Sequence, residues 1–156
     1  MGRLAGIARH NRPRGPIETV ERVSVTRELG VVGDARGAIR PGKSPRRQVS
    51  LIEAESWAAA MADLGLDGSG EALPWHSRRA NLLIEGLRLP REEGAVIAIG
   101  SSLKIEVTME CDPCWRMDEI KPGLKAALTT DWRGGVLGRV LCDGDIAVGN
   151  EVRIEQ

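Results

Sequence analysis

Two ten-residue stretches repeat one pattern and constrain the fold more than any other feature: Ile97-Ala98-Ile99-Gly100-Ser101-Ser102-Leu103-Lys104-Ile105-Glu106 and Ile146-Ala147-Val148-Gly149-Asn150-Glu151-Val152-Arg153-Ile154-Glu155. Each reads as strand, tight turn, strand, because apolar β-branched residues flank a short polar and glycine-bearing centre. Past the first turn Leu103, Ile105 and Val107 alternate with Lys104, Glu106 and Thr108, which predicts a half-buried strand running directly into Cys111. Arg3–Ala8, Ile17–Val25, Gln48–Ile52 and Leu82–Ile84 have strand composition too. Val136–Leu141, the turn Cys142-Asp143-Gly144-Asp145 and the second repeat read as a closing β meander.

Helical spacing is scarce by comparison. Over Glu53–Leu64 the residues Ala54, Trp57, Ala58, Met61 and Leu64 share a face and Gly65 supplies a stop, so Trp57 and Met61 are assigned to the core. Pro122 opens a shorter helix with Leu124, Ala127 and Leu128 on one side. Many short strands with few helices imply a mostly β, α+β architecture that closes into a barrel, rather than a parallel α/β sheet.

A length of 156 residues suits one domain spanning 1–156 with a proper core. Lys+Arg and Asp+Glu both number 22, so no global field collects nucleic acid or an anionic membrane. The four tryptophans are the only aromatics, too few for stacking along a strand of bases. No apolar run approaches the roughly 20 residues that cross a bilayer, and Met1–Gly6 does not begin a signal peptide. Three cysteines, an odd number, agree with a reducing, cytoplasmic setting.

Chemistry concentrates in Met109-Glu110-Cys111-Asp112-Pro113-Cys114-Trp115-Arg116-Met117, where two of the three cysteines lie between a strand and a helix. The thiolate is the nucleophile and the soft metal ligand, and a cation such as Arg116 or a helix start beside it favours ionisation. Cys114 is the first candidate. Cys142 follows an apolar run and reads as a core residue. A structural zinc site wants four ligands, and Cys142, His10 and His76 are not paired at ligand spacing. A thioredoxin-like pair is disfavoured as well, since Trp115 follows the second cysteine instead of preceding the first. A CxxC dithiol redox or binding module stays open. His76, alone in a loop, reads as a surface residue or structural donor. Residues 30–47 form a long Gly-, Pro- and Arg-rich loop in which the stretch carrying Arg36, Arg40, Lys43, Arg46 and Arg47 contains no acidic residue, and Arg78 and Arg79 add two cations.

In order and spacing the chain resembles the domain named for the C-terminal part of molybdenum cofactor sulfurase, MOSC, in its stand-alone bacterial form. The resemblance covers most of the chain and is carried by Val32-Gly33-Asp34, Arg47-Gln48-Val49-Ser50-Leu51-Ile52-Glu53, Arg79-Ala80-Asn81-Leu82-Leu83-Ile84-Glu85-Gly86, Pro113-Cys114 with the Gly123-Leu124 helix, and the Gly135–Gly149 meander. It implies a β-barrel-like domain with one reactive cysteine, matched by Cys114. That residue would transfer persulfide sulfur or ligate molybdenum, within a family whose sulfurases carry a pyridoxal phosphate-linked part. The resemblance further implies that Arg79 and Asn81 bind the molybdenum cofactor (molybdopterin) and that Arg47 assists with its phosphate. Implied partners are a cysteine desulfurase as sulfur donor, or an electron-donor protein if the domain reduces N-hydroxylated compounds. Many stand-alone members place a histidine shortly after Gly-Asp; here Asp34 is followed by Ala35-Arg36-Gly37 and the next histidine is His76. Cys111 is not part of the family pattern and is available as a resolving thiol for a persulfide at Cys114.

Overall fold

The computed structural model describes residues 1–38, 42, 45–67 and 72–155. In chain order its strands are β1 (Gly2–Arg9), β2 (Glu18–Thr19), β3 (Arg22–Thr26), β4 (Gly30–Val31), β5 (Val49–Glu53), β6 (Leu82–Glu85), β7 (Val96–Ile99), β8 (Leu103–Glu110), β9 (Val136–Cys142), β10 (Gly144–Ala147) and β11 (Glu151–Glu155). Its helices are α1 (Ala54–Asp63), α2 (Arg116–Ile120) and α3 (Leu124–Thr129), joined by 3-10 turns at Trp75–Arg78 and Thr130–Trp132.

Seven strands close on themselves in the order β1, β6, β5, β9, β8, β7, β11, with β11 returning to β1. Closure removes the unpaired edges that an open sheet would expose. The pairings are antiparallel except β5 with β6, which run parallel. A parallel neighbour needs a crossover, and α1 with the Trp75–Arg78 turn supplies it.

Side-chain alternation sorts the apolar residues into two cores. Leu4, Ile7, Leu51, Leu82, Ile84, Ile97, Ile99, Leu103 and Ile105 fill the barrel. Ile52 and Leu83, one residue out of phase, face outward onto Trp57, Ala60 and Met61 of α1, Met117 of α2, and Leu124 and Leu128 of α3. Strand β5 is therefore buried on both faces, so Leu51 and Ile52 are apolar in succession and its polar Ser50 and Glu53 are hydrogen-bonded.

The architecture expected from the sequence holds, with local corrections, the first being that Gly30–Val31, expected at the start of the long loop, form β4 against β3. Ile17–Val25 is not one strand: β2 stays beside β1, while β3 leaves for a three-stranded sheet of β10, β3 and β4. The break comes where the Val20 N–H donates to Ile7 O at 3.1 Å and the Glu21 carbonyl accepts from Val148 N at 2.9 Å, holding adjacent residues to different sheets. The two repeats are alike locally but not in pairing, since β7 and β8 form a hairpin whereas β10 pairs β3 and β11 pairs β7 and β1. The closing meander is consequently absent among the described residues. On α1 the buried face is Ser56, Trp57, Ala60 and Met61, leaving Ala58 exposed. Cys142 is exposed, because the inward phase of β9 ends at Val140. The stretch Asp67-Gly68-Ser69-Gly70 reads from its composition as a loop, and past Asp67 it lies outside the described residues.

Candidate functional site

A cleft of about 660 Å³ opens where the end of β1, the Gly33–Arg36 turn, the Trp75–Arg78 turn and α2 converge. From β1 and the residues after it come His10, Pro13 and Arg14; from the Gly33–Arg36 turn, Ala35 and Arg36; from the segment before β6, Arg78 and Arg79. The third wall is Cys114, Trp115, Arg116, Met117, Glu119 and Ile120.

Cys114 is exposed in this wall, whereas Cys111, three residues earlier at the end of β8, is only 8 % exposed. Burial separates the two thiols in access. Cys111 is held by Arg78, whose Nη2 donates to the Cys111 carbonyl at 2.8 Å and to its Sγ at 3.3 Å. The approach is close: a Cβ on Gly134 would stand 2.5 Å from the Cys111 carbonyl and 3.2 Å from Arg78 Nη2. Arg78 is itself 8 % exposed, and its Nε has no hydrogen-bond partner. A buried guanidinium without a carboxylate is expensive unless an anion meets it. Next to Cys111, the Glu110 carboxyl is pushed above its ordinary value by burial and then by the Asp112 carboxyl, against the pull of Arg91.

Arg79 carries backbone strain. Its φ of 66° and ψ of 26° lie in the left-handed region, which costs a side-chain-bearing residue about 1 to 2 kcal/mol. That conformation turns the chain from the 3-10 turn toward β6 and places the Arg79 Nη2 to donate to Gly15 O at 2.7 Å. Its guanidinium pKa is lowered by burial first, then by the charges of Arg36 and Arg116, with Asp34 opposing. Cations crowd here without relief. Among the described residues none of Arg14, Arg36, Arg78, Arg79 and Arg116 forms an ion pair, although Arg3, Arg9, Arg133 and Arg139 elsewhere do.

Two buried side chains, Asp34 and Asn81, organise the backbone around this cleft. The Asp34 carboxylate accepts the N–H of His10 at 3.0 Å and of Arg36 at 3.1 Å, fixing both chain segments. Asn81, 1 % exposed, accepts the Ser50 N–H at 3.0 Å and donates to Ala8 O at 3.2 Å, tying β1, β5 and β6 together beneath Arg79. Ser50 Oγ in turn accepts Arg36 Nη1 at 3.0 Å.

Of the residues marked in the sequence, the structure brings Cys114 and Arg79 to one cleft, sets Asn81 beneath it, and leaves Arg47 exposed and outside the lining. Arg40 and Lys43 lie outside the described residues. His76 is half-buried with its ring edge-on to Trp75 at 6.0 Å. Sequence reasoning missed His10. It follows β1 with no local signal, yet its Nδ1 stands 3.3 Å from the carboxylate of Asp34, so a histidine adjoins the Gly-Asp turn in space although none follows it closely in sequence.

The MOSC domain profile matches residues 38–153. The chain belongs to the MOSC domain family. Solved structures repeat the fold of this MOSC domain: the YuaD protein from Bacillus subtilis, 18% identical, superposes with a TM-score of 0.76 over 99% of this chain and 96% of that one. YiiM from Geobacillus stearothermophilus, 16% identical, gives 0.70 over 100% and 76%, and YiiM from Escherichia coli, also 16% identical, gives 0.69 over 99% and 70%. No curated protein matches the chain. MOSC domains are associated with molybdenum cofactor-related proteins. No helix among the described residues is long and apolar enough to cross a membrane.

Proposed function

We propose that this MOSC domain handles the molybdenum cofactor or the sulfur destined for it, with Cys114 as the reacting atom. One observation carries the reading: an exposed thiol shares a cleft with five arginines that have no ion-pair partner among the described residues. The donor set suits such a ligand. A thiolate is a soft ligand for a thiophilic metal, and guanidinium groups recognise phosphate with paired N–H donors. The orphaned Arg78 Nε is a buried donor awaiting an acceptor. Bound there, the cofactor would supply a thiophilic metal and an anionic phosphate tail.

The chain's own part is positioning and nucleophilic attack. Arg36, Arg78, Arg79 and Arg116 hold the anion, Asn81 and Asp34 keep the backbone beneath them in place, and Cys114 receives sulfur. In a persulfide transfer the Cys114 thiolate attacks the outer sulfur of a donor persulfide. The donor's S–S bond breaks, a new S–S bond forms on Cys114, and the donor leaves as its thiolate, so no oxidant is consumed. A cysteine desulfurase is the donor whose chemistry fits this step.

Molybdenum and pterin content of protein purified from cells that make the cofactor tests the cofactor branch. Wild type is expected to carry both, Cys114→Ser to lose molybdenum, and Arg79→Gly to lose both. Equal content in all three proteins contradicts it.

A further inference from the structure

Trp115 is the exposed aromatic of this chain. The other three tryptophans are packed: Trp57 is 6 % exposed, and Trp75 and Trp132 are half-buried against the two cores. Trp115 is 60 % exposed, beside Cys114 and in the wall of the arginine-lined cleft. Ile120, 39 % exposed, extends the apolar surface on the same wall. An indole left in water forfeits the burial that its area would otherwise gain. The only ring contact it has among the described residues is the Arg116 guanidinium, 5.9 Å from the ring centroid, near the outer limit of a cation–π interaction.

We propose that Trp115 is a stacking platform and that the cleft selects ligands which are both planar and anionic. This deepens the proposed function, on which it rests, by assigning the ligand's ring system to Trp115 and its charge to Arg36, Arg78 and Arg79. An indole face accepts a planar heterocycle by stacking whatever its hydrogen-bonding edge, so the recognition is of shape and π surface. The guanidinium groups of Arg36, Arg78 and Arg79 elsewhere in the lining donate to phosphate. A volume of about 660 Å³ accommodates a ring and a phosphate together, which one guanidinium cluster alone would not require. Lacking further exposed aromatics among the described residues, the site stacks one ring system, not a run of bases.

Binding of flavin mononucleotide, riboflavin and inorganic phosphate to the full chain tests this by separating ring from charge. Wild type is expected to bind flavin mononucleotide more tightly than either half-ligand. Trp115→Ala should weaken flavin mononucleotide and riboflavin about five- to a hundredfold while leaving phosphate unchanged. Trp115→Phe should restore part of the loss. Arg79→Gly should weaken flavin mononucleotide and phosphate but not riboflavin. Wild type that binds flavin mononucleotide no better than phosphate overturns the platform, as does Trp115→Ala with wild-type affinity for both flavins. If phosphate fails to bind as well, the anion end of the proposed function falls with it; if phosphate binds and the ring adds nothing, that reading stands and only the platform is lost.

Discussion

The Nδ1 of His10 lies 3.3 Å from Oδ1 of Asp34, with the His10 side chain 8% and the Asp34 side chain 0% exposed. A buried imidazole beside a buried carboxylate could be held protonated by it. Here burial outweighs that attraction, and the nearby charges of Arg79 and Arg36 push the same way, so the His10 pKa lies below its ordinary value. The cleft thus presents a neutral histidine among cations.

His10 should titrate below 6.5 by NMR, and the sign of its stability effect follows. A lowered native pKa means that the unfolded chain binds the proton more readily. The His10 contribution is therefore fully present above pH 6.5 and is lost as pH falls from there toward the native value. His10→Gln should flatten that part of the stability profile. Phosphate in the cleft should raise the His10 midpoint by offsetting Arg36 and Arg79; a midpoint above 6.5 in the free protein contradicts the assignment.

Arg79→Gly should separate binding from folding. Glycine removes the cost of a left-handed backbone at φ 66°, which offsets the lost bond to Gly15 O, so stability should change by about 1 kcal/mol or less. Losing a charge-assisted phosphate contact costs roughly 1.5 to 3 kcal/mol, about ten- to a hundredfold in affinity. Denaturation and phosphate titration on one sample read both. A variant that unfolds would make Arg79 structural.

Asn81→Ala should behave in the opposite way. It strands the buried Ser50 N–H and Ala8 carbonyl, each costing about 1 to 3 kcal/mol when unsatisfied. A large drop in denaturation midpoint is expected. A fold as stable as wild type with lost ligand binding would instead place Asn81 on the ligand.

Anionic and neutral alkylating reagents should rank the thiols differently. Cys114 and Cys142 are both exposed, but Cys114 faces the unpaired arginines. The labelling ratio of iodoacetate to iodoacetamide should be higher at Cys114 than at Cys142, and salt should erase the difference. Cys111, buried, should label last. An equal ratio at both exposed thiols would show that the arginine field does not reach Cys114.

The barrel was legible because strand alternation is local: Leu103, Ile105 and Val107 declare an inward face without reference to any other strand. Pairing was not, since β10 and β7 look alike, yet β7 pairs the next strand, β8, whereas β10 pairs the distant β3. Cys142 was assigned to the core from its apolar neighbours, yet it stands at the strand end where the inward phase has finished. Cys114 was visible from its place between a strand and a helix beside Arg116, whereas the role of Arg79 entered through the family resemblance. His10 could not be found that way, because its meaning comes from Asp34, which lies 24 residues along the chain. Asn81 was visible as a motif position, but its role needed Ser50 and Ala8 beside it.

Intact mass after incubation with a cysteine desulfurase and cysteine tests the central claim most directly. Wild type and Cys111→Ser should each gain about 32 Da, one sulfur atom, removable by a thiol reductant, and Cys114→Ser should gain none. A sulfur adduct on Cys114→Ser at the wild-type level would contradict the account.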